Sequence, residues 1–210
     1  GLEVVVLEKE KKLGEHASGR NSGVIHSGIN QLPGTKKSSF CLEGSKRLRN
    51  YCRENEIPMN ECGTIVVAKN KDDEFVLYTL LGMGEELGVE GLKIIGEDEL
   101  REKEPAIRAK KALISPTGAV VDSQKLLETV ARDARKFGAE YRLGEEVIKI
   151  DGNNLITNKG YYKTNHVINC AGLQADIIAH MFGVRLNYKI IPFRGEYIQV
   201  DATIEIMVYQ

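Results

Sequence analysis

Residues 1–10 read GLEVVVLEKE. Within them, residues 4–7 are three valines and a leucine without a polar interruption, closed by Glu8. A continuous β-branched run, rather than an alternating one, predicts a strand covered on both faces, as in a parallel sheet. Such a strand needs neighbours and a crossover that leads into it. The first residue therefore reads as a point inside a domain, with a further segment expected upstream.

Working outward, residues 18–29 read SGRNSGVIHSGI, a glycine- and serine-rich loop around one arginine, one asparagine and one histidine. Helical patterns follow at residues 36–56, 72–88, 96–105 and 124–138. In the second of these, Gly82 and Gly84 weaken the pattern. Residues 62–69 (CGTIVVAK) predict a strand, and residues 112–122 (ALISPTGAVVD) a strand, turn and strand. Short hairpin strands are expected at residues 146–150, 155–157 and 161–164, with Asp151-Gly152 as a turn. Residues 166–170 (HVINC) read as another buried strand, ended by Ala171-Gly172. A short helix over residues 173–183 and a strand over residues 189–200, broken at PFRGE, complete the pattern. No repeat is evident. The expectation is an α/β chain with parallel-strand portions at both ends and a mixed α+β insertion at about residues 60–120.

The totals exclude several classes. The chain has 210 residues, 29 Lys and Arg against 30 Asp and Glu, and a net charge of −1. The charges are interspersed, so no nucleic-acid stripe is expected. These residues contain no long apolar run, so neither a signal peptide nor a transmembrane helix is expected in them. The four cysteines, Cys41, Cys52, Cys62 and Cys170, lack CxxC spacing, so reduced thiols in a cytoplasmic protein are expected rather than a metal or disulfide framework.

Four stretches carry candidate chemistry. Glu8, at the end of an apolar strand, has the placement of an acid that accepts hydrogen bonds from a dinucleotide ribose; a solvated strand-end carboxylate is the competing reading. In residues 18–29, Gly19, Gly23 and Gly28 allow close backbone approach. Ser18, Ser22 and the surrounding amides suit phosphate oxygens, and a helix starting after Ser22 would add its dipole. Arg20 offers a two-pronged cation, and His26 an acid, base or donor near neutral pH. A surface loop with an incidental histidine is the alternative. Ala171 and Gly172 follow a strand and precede an acid, which suits a ligand at a strand's carboxyl end or a turn chosen for packing. Arg194, beside a glycine in PFRGEY, suits a bulge that presents a cation or an arginine paired with Glu196.

VVVLEKE, ASGRNSGVIHSGI, FCLEG, GTIVVA, ELREKEP, TGAVVD, VINCAGLQAD and IPFRGEY, in this order, resemble FAD-dependent oxidoreductases of the D-amino-acid oxidase-like superfamily. The chain is most similar to the L-2-hydroxyglutarate dehydrogenase/oxidase family. The resemblance implies a partial FAD-binding Rossmann-like parallel sheet (residues 1–58 and 120–185) and a mixed-sheet substrate domain (residues 59–119 and 186–210). It implies FAD held by Glu8, Lys9, Ser18, Arg20, Asn21, Ser22, Val147, Ala171 and Gly172. His26 would act as base or orienting group, and Arg194 would clamp a substrate carboxylate. The implied reaction is oxidation of L-2-hydroxyglutarate to 2-oxoglutarate by hydride transfer to flavin. The electron acceptor would be oxygen, a quinone or a carrier; a quinone would imply peripheral membrane association. The family's glycine-rich N-terminal unit and its C-terminal part have no counterpart in these residues. The competing readings are a glycerol-3-phosphate dehydrogenase-like or amino-acid oxidase-like enzyme, and a cofactor-free inactive domain.

Overall fold

The computed structural model describes residues 1–196 and the backbone of Val208–Tyr209. The elements begin with β1 (Val5–Glu8), β2 (Val24–Ile25), α1 (Lys36–Glu54), β3 (Met59–Asn60), β4 (Thr64–Ala68) and α2 (Lys71–Glu86). There follow β5 (Lys93–Gly96), α3 (Glu97–Lys103), β6 (Lys111–Ser115), β7 (Ala119–Val121), α4 (Ser123–Lys136) and β8 (Glu140–Leu143). The chain continues through β9 (Val147–Asp151), β10 (Asn154–Thr157), β11 (Tyr161–Lys163), α5 (Ala175–Met181) and β12 (Val208–Tyr209). This is a mixed α/β fold with parallel and antiparallel pairings. No helix among the described residues is long and apolar enough to cross a membrane.

The chain divides into two compact units. Unit 1 comprises residues 1–20 and 130–202; unit 2 comprises residues 21–129 and 203–210. The division falls inside the loop of residues 18–29 and inside α4.

Unit 1 holds a parallel pair, β1 with β8, in which Val5 faces Glu140 and Glu8 faces Leu143. It also holds the antiparallel meander β9-β10-β11. Unit 2 holds the sheet β12-β4-β6-β5 and the sheet β2-β7-β3. Its helices α1 and α2 start on side-chain caps: Thr35 accepts from the Ser38 amide at 3.1 Å, and Asn70 from the Asp72 and Asp73 amides at 2.9 Å, which satisfies otherwise unpaired donors. Asp72, Asp73 and Glu74 in the first turn of α2 also complement the helix dipole. One core cluster joins α1 to β2 and β7 through Cys52, Ile25, Ala119 and Val121. A second gathers Ile29, Leu77 and Leu113, and a third Ile65, Ile95 and Leu100.

Several expectations need correction. β1 pairs in parallel, but it is not covered on both faces: Val5 is exposed and residues 6–8 are half-buried. It has a hydrogen-bonded neighbour on one side only among the described residues. Residues 166–170 are neither a strand nor buried. An apolar run becomes a strand only when a neighbour takes its amides and carbonyls, and no described strand lies alongside. Local bonds occupy it instead, such as Thr164 Oγ1 donating to the His166 carbonyl at 2.9 Å. Residues 189–196 are not a strand either, for the same reason, and residues 197–200 lie outside the described residues. Residues 112–122 do form the expected strand, turn and strand, with β6 joined to β4 and β5 and β7 joined to β2 and β3. The segment after Ser22 forms β2 rather than a helix. Strand β8 lies outside the sequence expectations: its EYRL alternates but is only four residues long, and it takes its place from the β1 register. α2 runs through both glycines. A Cβ on Gly84 would lie 2.4 Å from Leu92 Cδ1, so this glycine lets Leu92 pack closely against the helix rather than marking a break.

Candidate functional site

The carboxyl end of β1 gathers the first group. Oε1 of Glu8 accepts the Glu10 amide at 2.9 Å, which orients the carboxylate at the strand end. The Glu8 carbonyl accepts the Glu145 amide at 2.9 Å, and the Glu10 carbonyl accepts the Gly144 amide at 2.7 Å. Gly144, at φ 65°, makes the turn that follows β8. These bonds place the start of β9, Val147, two residues past a segment tied to the Glu8 backbone. Lys9 Nζ lies 3.4 Å from Glu10 Oε1.

The loop that leaves β1 is folded on itself. His16 Nε2 lies 2.8 Å from Glu10 Oε1. This hydrogen bond, and secondarily Lys9, hold the Glu10 carboxyl below the usual range. The Gly19 amide donates to the His16 carbonyl at 3.1 Å. A Cβ on Gly19 would sit 2.1 Å from the Gly14 carbonyl oxygen, so glycine is the residue this crossing admits. Ser18 and Arg20 are exposed on this loop.

Asn21, Ser22 and His26 belong to unit 2. Asn21 Oδ1 accepts the Gly23 amide at 2.8 Å, a side-chain turn that leads into β2. Gly23, at φ 67°, is pressed against the Val121 carbonyl. Ile25 and Ile29 are buried on either side of His26, which itself is exposed. The apolar anchors therefore fix the backbone while leaving the imidazole at the surface.

Ala171 and Gly172 form an exposed turn before α5, with Gly172 at φ 57°. Nothing lies within 4 Å of a Cβ built on Gly172. Asn169 shapes the turn: its Oδ1 accepts the Ala171 amide at 3.1 Å and its Nδ2 donates to the Ala175 carbonyl at 2.7 Å. The Arg194 side chain is 88% exposed, with Nε 4.0 Å from Glu196 Oε1, a loose contact that adds little stability.

Two supporting residues escaped the sequence reading. Asn169 could have been found as an amide placed two residues before a tight strand-to-helix turn. Glu145 carries no such signal. It is buried, and its Oε1 accepts the Thr157 hydroxyl at 2.7 Å. Burial, and then the hydrogen bond with Glu145, push the Tyr162 phenol up. Unit 2 also has an open depression of about 580 Å³ lined by Met59, Cys62, Val121 and Asp122, among others. None of the predicted site residues lines it.

A family profile described as FAD dependent oxidoreductase (DAO) matches residues 1–208. The L-2-hydroxyglutarate dehydrogenase of Indibacter alkaliphilus is 39% identical over 212 residues, covering 99% of this chain and 53% of its own length. The glycerol 3-phosphate dehydrogenase of Caloramator mitchellensis is 34% identical over 209 residues, covering 97% of this chain and 43% of its own. Among solved structures, the L-alpha-glycerophosphate oxidase of Mycoplasma pneumoniae with FAD bound superposes with a TM-score of 0.79 at 24% identity. It covers 86% of this chain and 50% of the oxidase chain. That likeness shows the fold. The chain spans about half the length of the curated relatives it matches.

Proposed function

This chain belongs to the FAD-dependent oxidoreductase family, and we propose that within it the protein oxidises an L-2-hydroxy acid, first among them L-2-hydroxyglutarate, to the 2-oxo acid. The observation that carries this reading is the 39% identity over nearly the whole chain to an L-2-hydroxyglutarate dehydrogenase.

The residues fit FAD on structural grounds. Glu8 brings a carboxylate to the end of a parallel strand, where a ribose diol finds its acceptor. Gly19 and Gly172 each keep a stretch of backbone bare of a side chain. In this reading Glu8 binds the adenosine ribose, with Lys9 beside it, and the Val147 backbone borders the adenine. Ser18, Arg20, Asn21 and Ser22 hold the pyrophosphate and ribityl chain, Arg20 by paired hydrogen bonds to phosphate oxygens. Ala171 and Gly172 permit close passage of the dinucleotide. Residues 1–58 and 120–185 then serve the cofactor, and residues 59–119 and 186–210 the substrate.

FAD, when bound, would supply the acceptor for the C2 hydrogen, which leaves with its electron pair as hydride. His26 takes the hydroxyl proton on an imidazole nitrogen as C2 is oxidised. Arg194 binds a substrate carboxylate and fixes the orientation of C2. Oxygen, a quinone or a carrier protein removes the electrons afterwards; a quinone would bring the protein to a membrane surface. The second reading is glycerol 3-phosphate oxidation, which the Caloramator mitchellensis relative favours. A phosphate dianion calls for more than one cation, whereas, apart from Lys9 beside the ribose, the proposed site residues offer only Arg20 and Arg194, and Arg20 is engaged by the FAD phosphates in this reading.

The test is anaerobic mixing of the FAD-loaded protein with each substrate, followed by flavin absorbance near ~450 nm. L-2-hydroxyglutarate should bleach the band, and His26→Ala should slow the bleaching about a hundredfold or more. Bleaching by glycerol 3-phosphate alone would select the second reading. A band that no substrate bleaches would leave an inactive flavin-binding domain.

A further inference from the structure

We propose that Asp176 and His180 form a two-point clasp that positions the segment carrying Arg194 and so sets the affinity for the substrate carboxylate. The proposal rests on the reading of Arg194 given above.

α5 is only seven residues long and buries none of them. A helix so short is not stable through its own hydrogen bonds. The chain then reverses. The Gly183 amide donates to the His180 carbonyl at 2.9 Å, and the Val184 amide to the Ala179 carbonyl at 3.2 Å. Arg185 follows at φ 57°. This is left-handed backbone, which is unfavourable for a residue with a Cβ, so something must hold it. Tyr188 closes the turn by donating its amide to the Arg185 carbonyl at 2.9 Å, and the Arg185 guanidinium lies 5.6 Å from the Tyr188 ring centre.

One face of α5 grips this turn. Asp176 and His180 are four residues apart, hence neighbours on the helix surface. His180 Nε2 is 3.1 Å from the Arg185 carbonyl and 3.0 Å from the Tyr188 carbonyl. Both partners only accept, so this nitrogen carries a proton. The Asp176 carboxylate uses Oδ1 for its neighbour's amide, Ile177, and Oδ2 for the Ile190 amide fourteen residues on, both at 2.9 Å. The bond from Ile190 is the main reason the Asp176 carboxyl lies below the usual aspartate range. The helix face thus tethers residues 185, 188 and 190.

The Ile190 tether is the last of these before Arg194. Four residues of chain reach at most about 14 Å, and Pro192 restricts the backbone between. Where residue 190 is held therefore limits where the Arg194 guanidinium can reach. Losing the clasp releases both the strained turn and the root of that arm. Asn169 holds the first residue of α5 through the Ala175 carbonyl, so the helix itself has a separate anchor.

The experiment compares the full chain, loaded with FAD, with its Asp176→Ala, Asp176→Asn and His180→Ala variants. Amide exchange at Tyr188 and Ile190 is followed by NMR, alongside KM and kcat for L-2-hydroxyglutarate. Asp176→Ala should accelerate exchange at Ile190 about tenfold or more while the β1 and β8 amides keep their rates. It should raise KM about tenfold with little change in kcat or FAD affinity. His180→Ala should act in the same direction, and Asp176→Asn, which keeps one carbonyl acceptor, should recover much of both losses. Unchanged exchange at Ile190 overturns the clasp. Accelerated exchange with unmoved KM overturns its role in positioning Arg194. If the unsubstituted chain oxidises no 2-hydroxy acid, the function proposed above fails and the substrate half of this inference fails with it. The exchange rates then decide the clasp alone.

Discussion

In unit 2, Ile65, Leu77 and Leu113 are at most 1% exposed; in unit 1, Ile168 is 87% exposed and Phe193 92%. The two units draw on the same apolar vocabulary. Unit 2 has helices and sheets that face each other, and all three core clusters lie in it. Among the described residues of unit 1, the buried apolar side chains are Ala131 and Leu155. Its interior depends more on polar bonds, above all the buried pair of Glu145 and Thr157. An apolar pattern therefore states what a segment can bury, and its neighbours decide whether it does.

The contrast can be broken most sharply by truncation. Leu113→Ala should cost about 2–5 kcal/mol, whereas Ile168→Ala should stay within about 0.5 kcal/mol. Urea unfolding of both variants measures this, and equal losses would erase the distinction. A smaller effect sharpens the other side of the comparison. Thr157→Val removes the hydroxyl donor to buried Glu145, and with it the acceptor for the Lys159 and Gly160 amides at 3.1 and 3.0 Å. The expected loss is about 1–3 kcal/mol, with amide exchange rising in the β9-β10-β11 meander while unit 2 keeps its rates. A loss spread evenly over both units would show that unit 1 does not lean on this pair.

What the sequence made legible follows the same physics. α1, α2 and α4 are marked by local signals, because caps, helical periodicity and stop glycines act within a few residues. β4, with its run TIVVA, is marked by composition. β8 and the partnerships of β6 and β7 depend on register with distant strands, and no window of residues encodes that. Residues 166–170 have the composition of a buried strand but no described neighbour to make them one. At the site, Glu8 and the loop of residues 18–29 stand out because charged, amide and glycine residues are concentrated there. The supports are less visible. Asn169, Asp176 and His180 act through backbone atoms up to fourteen residues away, and Glu145 acts through its burial.

The claim that matters most is that the strand end at Glu8 holds FAD in this chain. Titration of the purified chain with FAD, followed by flavin fluorescence, tests it directly against Glu8→Ala. The account predicts saturable binding by the unsubstituted chain and a loss of about tenfold to a hundredfold in the variant, the worth of hydrogen bonds to a charged acceptor. Absence of binding, or equal affinity in the two proteins, would contradict it.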